Sequence, residues 1–332
     1  MEHSSSVLAL AGALLLAGGG DSRLKSVTSG SFAERSPAAV WSRALHATEQ
    51  TQVSAAAPAR GAASKPEAAP DSGRFSLLTY NVAGLPQLVS RSDPEVNVAL
   101  ISPLLNHYDV ALVQEDFSYH SRLVARARHG YRSEPMTHSL ALMADGLNWF
   151  SRFPLGWIHR VRWAQCHGYL GAASDCLADK GFSFGELSLA PGIVIDVYNL
   201  HAEAGGSLRD TEARRDNFEQ LADSLRARSR DHAVIVAGDT NLRMSVPADA
   251  DTLERFLAVT GLRDACRHFG CGEERLDRIF VGSSRRVEID VLGWWADRRF
   301  VDAEGAPLSD HPAIGVELGW QKRLDSELVA ER

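Results

Sequence analysis

Short apolar segments with the alternation of β-strands recur along the chain from residue 74 onward. In RFSLLTYN (74–81), a period of two places Phe75, Leu77, Thr79 and Asn81 on one face. This face is apolar where the strand begins and polar where it ends. A polar residue at the end of one strand is ordinary, so a single segment of this kind says little about function.

The same pattern occurs in five further segments, which are DVALVQE (109–115), IVIDVYNLH (193–201), AVIVAGDTN (233–241), LDRIFV (276–281) and LSDHPAIGVEL (308–318). The residues that share a face are Ala111, Val113 and Glu115; Ile193, Ile195, Val197, Asn199 and His201; Ile235, Ala237, Asp239 and Asn241; and Asp277, Ile279 and Val281. In the last segment Asp310 and His311 come directly before a final strand. Six polar strand ends together predict a shared site.

Two segments between these strands have the spacing of helices. NVALISPLLNHY (97–108) and RRDNFEQLADSLRARS (214–229) carry apolar residues three and four positions apart, with Phe218, Leu221 and Leu225 on one stripe. We expect these helices to cover the faces of sheets. Strands that alternate with such helices indicate an α/β or α+β domain.

The two ends of the chain have a different composition. Residues 1–20 contain the apolar run VLALAGALLLAGGG, which has the length of a signal-peptide core, and residues 21–72 form an Ala/Ser/Pro-rich segment without periodicity. We therefore expect a signal peptide (1–20), a disordered linker (21–72), one catalytic domain (73–320) and a tail (321–332). This organisation predicts a secreted or periplasmic protein.

Cysteine spacing and charge are consistent with export. Four cysteines form two close pairs, Cys166 with Cys176 and Cys266 with Cys271, and disulfides within each pair are the favoured arrangement. A four-cysteine zinc site is the alternative, although neither pair has the two-residue spacing usual for one. The formal net charge of -7 shows none of the strong basic excess of a nucleic-acid binder.

The carboxylates at the strand ends predict a metal site. Buried carboxylates are costly unless they are paired or bind a cation, and this applies here to Glu115, Asp239, Asp277 and Asp310. Oxygen ligands suit a hard cation, so we expect Mg²⁺, with Mn²⁺ as the alternative. Phosphoester hydrolysis is the matching reaction, because a serine hydrolase would need a Gly-x-Ser-x-Gly motif that the sequence lacks.

The motifs TYNVAGLP, LVQED, NLHAEAG, GDTNL, LDRIF and LSDHPAI stand in the order seen in one family of enzymes. Over residues 74 to 319 the chain resembles the DNase I-like endonuclease/exonuclease/phosphatase superfamily of metal-dependent phosphoesterases. The resemblance implies a four-layer sandwich, in which two packed, mostly antiparallel sheets are flanked by helices. It also implies that the site lies at one end of the sandwich.

The resemblance assigns a role to each polar residue at the strand ends. Glu115 resembles the principal magnesium ligand, with Asn81 beside it and Asp310 as a neighbour of the metal. Asp239 and Asn241 resemble the pair that orients the nucleophile and the phosphate or metal.

The resemblance also implies roles for two histidines and one further acid, in phosphate binding and in proton transfer. His201 resembles the histidine that binds the scissile phosphate. His311 resembles the general base, and Asp277 resembles the carboxylate that orients it. The implied reaction is hydrolysis by a water that His311 activates.

Three segments, YNLHAEAG, YNVAGLP and TGLRDAC, are similar to neutral sphingomyelinases, so a phospholipid is the expected substrate. The adjacent Trp294 and Trp295 would support a transient contact with a membrane surface, or else one packs in the core and the other faces a loop. Four further aromatic residues are expected in the core or at the substrate rim: Trp149, Phe150, Trp157 and Trp163.

Three alternative functions stay open. A secreted DNase I-like nuclease would use arginines such as those of RRDNFEQLADSLRARSR, which the helical stripe instead places on a solvated face. An inositol-phosphate phosphatase is the second alternative. An exported binding protein without catalysis is the third, and the complete set of polar residues argues against it. We expect a monomer in each case.

Overall fold

Two seven-stranded β-sheets pack face to face at the centre of the fold. The computed structural model describes residues 49–55, 70–88, 90, 92–137, 139, 141–168, 175–267, 269–272 and 274–323. The strands are β1 (Glu49–Thr51), β2 (Val53–Ala55), β3 (Ser72–Asn81), β4 (Val110–Gln114), β5 (Tyr131–Ser133), β6 (Asn148–Ser151), β7 (Ile158–Arg162), β8 (Gly181–Ala190), β9 (Ile193–His201), β10 (Val234–Asp239), β11 (Arg263–Asp264), β12 (Asp277–Gly282), β13 (Val287–Ala296) and β14 (Ile314–Lys322). The helices are α1 (Pro94–Leu104), α2 (His120–Val124), α3 (Leu208–Arg228) and α4 (Pro247–Thr260).

Each sheet contains one parallel pair of strands among antiparallel neighbours. The first sheet has the order β13-β14-β3-β4-β6-β5-β2 and the second the order β1-β7-β8-β9-β10-β12-β11. The parallel pairs are β3 with β4 and β9 with β10, and α1 and α3 connect them. Parallel neighbours end at the same edge of a sheet. The polar residues that end these four strands therefore lie at one end of the sandwich.

The layers are held together by three apolar clusters. Between the sheets lie side chains from both inner faces, including Leu77, Leu112, Ile195 and Ile235. Outside the second sheet, α3 and α4 pack through Phe218, Leu221, Leu225, Leu253 and Phe256. Outside the first sheet, α1 packs through Val98 and Ile101. The predicted four-layer sandwich of mostly antiparallel sheets is confirmed.

The predicted linker contains two short strands. Residues 49–55 lie within the segment expected to be disordered, yet β1 pairs with β7 at the edge of one sheet and β2 pairs with β5 at the edge of the other. Backbone hydrogen bonds to exposed sheet edges order this segment, and they require no apolar periodicity. The prediction for 21–72 is therefore wrong at 49–55, while residues 21–48 and 56–69 lie outside the described ranges.

The signal-peptide segment (1–20) lies outside the described residues, as does most of the predicted tail. In the part of the chain that the structure describes, no helix is both long and apolar enough to cross a membrane. Both predicted disulfides are present, Cys166–Cys176 and Cys266–Cys271, with Cα–Cα distances of 5.4 and 5.8 Å. The four-cysteine zinc site is therefore excluded.

The tryptophans differ from the expectation. Trp294 and Trp295 are both partly buried on opposite faces of β13, with Trp294 against the core between the sheets and Trp295 against the outer cluster. The indole of Trp295 also donates to the Tyr108 hydroxyl at 2.9 Å. Neither residue is exposed as a membrane contact or faces a loop alone. Trp157 is 54% exposed, but it lies between β6 and β7 at the end of the sandwich opposite the polar strand ends.

Candidate active site

Strand register brings the predicted polar residues together. The parallel pairing of β9 with β10 places His201 opposite Asp239, and the antiparallel pairing of β10 with β12 places Asp239 opposite Asp277. In the other sheet, Asn81 at the end of β3 lies opposite Gln114 at the end of β4. The apolar alternation of these strands therefore fixes the location of the site.

The backbone leaves the strand conformation at Glu115, and this turns the Glu115 side chain toward the site. Ala111 and Val113 face the outer cluster rather than the core between the sheets. By strand alternation Glu115 would share that outer face. Instead β4 ends at Gln114, Glu115 has a φ of 56°, and its carboxylate turns toward the site. The predicted shared face of Ala111, Val113 and Glu115 is therefore wrong, although Glu115 reaches the predicted site.

Positive φ angles are concentrated at this end of the molecule. In the described ranges, the non-glycine residues with positive φ are Ala83, Glu115 and Asn241, and each follows the end of a strand that lines the site. Such a conformation costs about 1–3 kcal/mol per residue. Gly84 allows the close packing of these loops, because a Cβ there would lie 2.6 Å from the carbonyl oxygen of Glu115. The surrounding fold holds the site in a strained backbone.

One asparagine joins two carboxylates from different sheets. The Asn81 amide nitrogen Nδ2 donates to Glu115 Oε1 and to Asp239 Oδ2, each at 3.1 Å. Its oxygen Oδ1 accepts from the Ala83 N–H at 3.0 Å. In this arrangement Asn81 separates the two negative charges as a donor. For Asn81 to be a metal ligand, its amide would have to turn so that Oδ1 faces the carboxylates.

His201 is buried beside the same carboxylates. Its Nε2 lies 3.4 Å from Asp239 Oδ2 and 3.8 Å from Glu115 Oε1. The indole N–H of Trp163 donates a hydrogen bond to the backbone carbonyl oxygen of His201 at 2.7 Å. Burial lowers the pKa of His201 well below its ordinary value, an effect that Lys180 increases. The imidazole is therefore neutral at physiological pH.

His311 forms a hydrogen-bonded pair with Asp277. Its Nδ1 lies 2.8 Å from Asp277 Oδ2, and its Nε2 lies 3.7 Å from Asp239 Oδ2. Burial opposes protonation, but the Asp277 and Asp239 carboxylates outweigh it and raise the pKa of His311 well above its ordinary value. Burial in turn raises the pKa of Asp277 to about 6. The two residues therefore share a proton within a buried pair.

Asp239 and Glu115 differ in charge environment although they share the Asn81 amide. Burial raises the pKa of Glu115, and this effect exceeds the attraction of Lys180. For Asp239, burial also acts upward, but His311, His201 and Lys180 together hold its pKa below the ordinary value. Glu115 thus carries the less compensated charge of the two.

The remaining predicted residues lie around this centre. Asn241 donates its N–H to Asp239 Oδ1 at 3.0 Å and its amide to the Ala202 carbonyl at 3.1 Å, so it fixes the Asp239 carboxylate. Asp310 is exposed at the rim, and its Oδ1 lies 3.4 Å from the Ser309 hydroxyl oxygen. Ser309 also donates to the Asn81 carbonyl at 2.7 Å. Asp310 is therefore the most peripheral of the predicted metal residues.

The sequence reasoning missed Lys180 at this site. Lys180 lies directly before β8, is buried, and forms an ion pair with Asp175. Burial acts to lower its pKa, but Asp175 and Glu115 outweigh burial and raise it. The ammonium group is therefore a fixed positive charge beside the carboxylates. A signal was available, because Lys180 is one of only four lysines in a chain whose other basic residues are arginines.

The donor atoms fit a divalent cation. Glu115 and Asp239 offer carboxylate oxygens on the two sides of Asn81, and Asp277 Oδ1 is buried with no hydrogen-bond partner among the residues that the structure describes. The ligand atoms of Asp239, Asp277 and His311 lie within 4.8 Å of one another. Because His311 Nδ1 and Asp277 are already paired, the oxygen-rich side with Glu115 and Asp239 is the better position for a hard cation.

Known proteins resemble this chain in sequence and in fold. A sphingomyelinase of Mycobacterium tuberculosis is 36% identical over 267 residues, which cover 73% of this chain and 52% of the relative. This chain thus spans about half the length of the curated relatives it matches. A structure of a beta toxin mutant from Staphylococcus aureus with bound magnesium ions has a TM-score of 0.56 at 17% identity, covering 74% of this chain and 99% of that one.

A second kind of structure has the same fold. TDP2 from D. rerio, complexed with single strand DNA product, has a TM-score of 0.55 at 16% identity, covering 74% of this chain and 98% of that one. At such identities the similarity concerns the fold alone. A model of the Endonuclease/Exonuclease/phosphatase family matches residues 78–311, a range that contains all eight predicted site residues. The chain belongs to the Endonuclease/Exonuclease/phosphatase family.

Proposed function

We propose that the chain hydrolyses phosphodiesters with the help of a divalent cation, most consistent with Mg²⁺. The observation that carries the proposal is the convergence of Glu115 and Asp239 on the Asn81 amide, with His201 on one side and the His311–Asp277 pair on the other. Such carboxylates, imidazoles and an amide can supply cation ligands, a phosphate donor and a general base for phosphoester hydrolysis. Family membership supports the same reaction class.

Glu115 would be the principal ligand of the cation, because its charge is less compensated than that of Asp239. Asp239 would face the same cation, and Asp310 would contribute from the rim. A bound Mg²⁺ neutralises charge that develops on phosphate oxygens and on the leaving group. Mn²⁺ has the same preference for oxygen ligands and would substitute for it.

His201 would bind the scissile phosphate as a neutral donor. Its depressed pKa keeps it neutral, so one ring nitrogen carries a proton that a phosphate oxygen can accept. Its Nδ1 is buried and has no hydrogen-bond partner among the described residues. Asn241 would act through Asp239, whose carboxylate it holds in position.

His311 would be the general base. Asp277 binds its Nδ1, which leaves Nε2 to accept a proton from the attacking water. Once His311 has accepted that proton, the Asp277 carboxylate stabilises the imidazolium. This proton would then be released to solvent through the rim, where the His311 side chain is 13% exposed.

A phospholipid is the proposed substrate. The relative that is 36% identical is named a sphingomyelinase. Three exposed leucines lie at the same end of the sandwich as the site, Leu88 (93%) and Leu142 (62%) on loops and Leu208 (84%) at the start of α3. Apolar side chains around a phosphate-cleaving site suit a lipid surface better than a polyanion.

The arginines of α3 give little support to a nuclease. Arg214 is fully buried in a pair with Asp249, Arg215 pairs with Asp216, and Arg226 pairs with Asp223. These residues do not form a row of unpaired cations for DNA phosphates. Their expected place on a solvated face is wrong for Arg214. The fold shared with TDP2 keeps DNA hydrolysis as the second candidate.

The two disulfides support the proposal that the protein is exported. Disulfides persist in secreted and periplasmic proteins and are rare in reducing compartments. The Cys166–Cys176 disulfide ends four residues before Lys180 in the sequence. Removal of a leader after residue 20 or nearby, measured on the exported protein, would agree with the predicted signal peptide.

The decisive experiment is a hydrolysis panel with sphingomyelin, other choline phospholipids, double-stranded DNA and an inositol phosphate, each with Mg²⁺ and with EDTA. We expect Mg²⁺-dependent cleavage of sphingomyelin. Glu115→Gln should lower kcat/KM by about 10²-fold or more, because it removes the principal ligand charge. Glu304→Gln changes an exposed glutamate and is the matched control, with an expected change of less than about twofold.

Two outcomes would contradict the proposal. Activity that survives Glu115→Gln, with the same dependence on Mg²⁺ as the unchanged protein, would reject the assigned metal site. Cleavage of DNA alone would reject the lipid substrate and leave the phosphodiesterase assignment intact.

A further inference from the structure

A second cluster of metal-binding side chains lies outside the candidate active site. His167 follows β7 next to the Cys166–Cys176 disulfide, Glu203 lies two residues after β9, and Asp210 is in the first turn of α3. One ligand atom from each residue lies within 4.8 Å of the others. Three separate parts of the chain therefore converge on one point.

Glu203 is the central member of this cluster. Its side chain is fully buried, and its Oε1 accepts from the His167 N–H at 2.9 Å. Its Oε2 is buried and has no hydrogen-bond partner among the described residues. A buried carboxylate oxygen without a partner is costly, so it requires an explanation.

The neighbouring cations are committed to other groups. Arg214 donates through Nη1 to the backbone oxygen of Glu203 at 2.8 Å, while the rest of its guanidinium pairs with Asp249. Lys180 forms its ion pair with Asp175. The Glu203 carboxylate thus receives no direct ion pair in this part of the structure.

The other two side chains are already oriented toward each other. His167 Nδ1 lies 2.5 Å from Asp210 Oδ1. The second oxygen of Asp210, Oδ2, accepts from the Ser207 N–H at 2.7 Å and so completes the capping box of α3. Asp210 can therefore offer one oxygen to a ligand and keep the other for the helix cap.

We propose that His167, Glu203 and Asp210 bind a zinc-type divalent cation at a site separate from the magnesium site. One imidazole and two carboxylates form the mixed nitrogen and oxygen donor set that Zn²⁺ accepts, and three protein ligands leave one position for water. Mg²⁺ prefers oxygen donors alone, so the two sites differ in chemistry.

The proposed ion supplies the contact that Glu203 Oε2 lacks among the described residues. It replaces the contact between His167 and Asp210, binds the free Oε2 of Glu203, and leaves the Ser207 cap intact. It ties the disulfide-linked segment to the end of β9 and to the start of α3. A bound ion therefore stabilises the loops beside His201 without contacting the substrate.

The test is a zinc-binding measurement on the full chain. The protein is stripped with EDTA, dialysed into excess Mg²⁺ to fill the active site, and titrated with Zn²⁺ by calorimetry. We expect one Zn²⁺ per chain, a higher Tm with Zn²⁺, and release of protons on binding. Glu203→Gln and His167→Ala should each weaken binding by about tenfold or more.

Two further variants make the result specific. Asp210→Asn keeps an oxygen that can accept from the Ser207 N–H in the capping box, but removes the charge and should also weaken Zn²⁺ binding. Asp239→Asn changes the candidate active site and should leave Zn²⁺ binding within about twofold of the unchanged protein. Circular dichroism melts in EDTA show whether each variant folds.

Three results would overturn the proposal. They are the absence of Zn²⁺ binding in the unchanged protein, binding that is unaffected by Glu203→Gln, His167→Ala and Asp210→Asn, and binding that is lost in Asp239→Asn. Because no substrate is used, failure here is distinct from failure of the phosphodiesterase proposal, which the hydrolysis panel tests.

Discussion

The fold treats two acids in opposite ways, the fully buried Asp249 and the partly buried Glu115. Asp249 accepts from Arg214 Nε at 2.9 Å and from Arg214 Nη2 at 3.0 Å, and it also accepts from the Arg243 N–H at 3.1 Å. Glu115 receives the Asn81 amide, and its nearest imidazole, His201, is neutral and 3.8 Å away. One acid is fully paired within the chain, and the other is not.

The difference separates a structural role from a functional one. A buried charge that is paired with good geometry can join two elements, here α3 and α4. A buried charge that is left without a full partner costs stability and is kept only where something outside the chain completes it. Changes at the two acids should therefore have effects of opposite sign on stability.

Removing the arginine of the paired acid should have the largest effect. Arg214→Met leaves Asp249 buried without its cation, and we expect the free energy of unfolding to fall by about 3–5 kcal/mol. Urea unfolding measures this change. The adjacent Arg215→Met removes an exposed arginine from the same helix and should change stability by less than about 0.5 kcal/mol. Equal losses in both variants would contradict the assigned role of the pair.

Replacing Asp277 tests the proton balance of the site. The Asp277 carboxylate raises the pKa of His311, so Asp277→Asn should lower that pKa. Because the base must be neutral, activity rises with pH through this pKa, and the acid limb of kcat/KM should move to lower pH. The plateau should fall by up to about 10²-fold, since the imidazole is no longer held. An acid limb that does not move would contradict the pair.

The smallest effect is expected at Glu115, and its sign is positive. Burial raises the pKa of Glu115, so its charged form destabilises the metal-free fold at neutral pH. Glu115→Gln should therefore raise Tm in EDTA by a few degrees at most, about 1–3 °C. The gain should shrink as pH falls, because Glu115 itself then takes up a proton. Differential scanning calorimetry at several pH values measures it, and a lower Tm at neutral pH would count against this account.

Strand periodicity was sufficient to predict most of the fold. IVIDVYNLH (193–201) corresponds to β9 from its first to its last residue, and Ile193, Ile195 and Val197 lie in the core between the sheets. Period-two patterns work here because each inner face must be apolar. The sequence did not predict α4, whose PADADTLERFLAVT mixes acids and short side chains and is fixed by packing against α3.

The convergence of the polar residues was predictable from the sequence, but their geometry was not. His201, Asp239 and Asp277 follow directly from strand register, because their strands are neighbours. Glu115 reaches the site only through a positive φ that no side-chain pattern encodes. Lys180 lies at the site because β8 begins beside β9, and this strand pairing is a feature of the tertiary structure. The exposed position of Asp310 likewise depends on how the last loop crosses the rim.

The long sequence separations within the site have a kinetic consequence. Asn81 contacts Asp239 across 158 positions, and Ser309 donates to the Asn81 backbone across 228 positions. Contacts between such distant residues form late in folding, because long loops must close first. No partly folded form that lacks either sheet can bring the two carboxylates to one amide. If the proposed hydrolysis is correct, activity should therefore appear during refolding only after the last strand has docked.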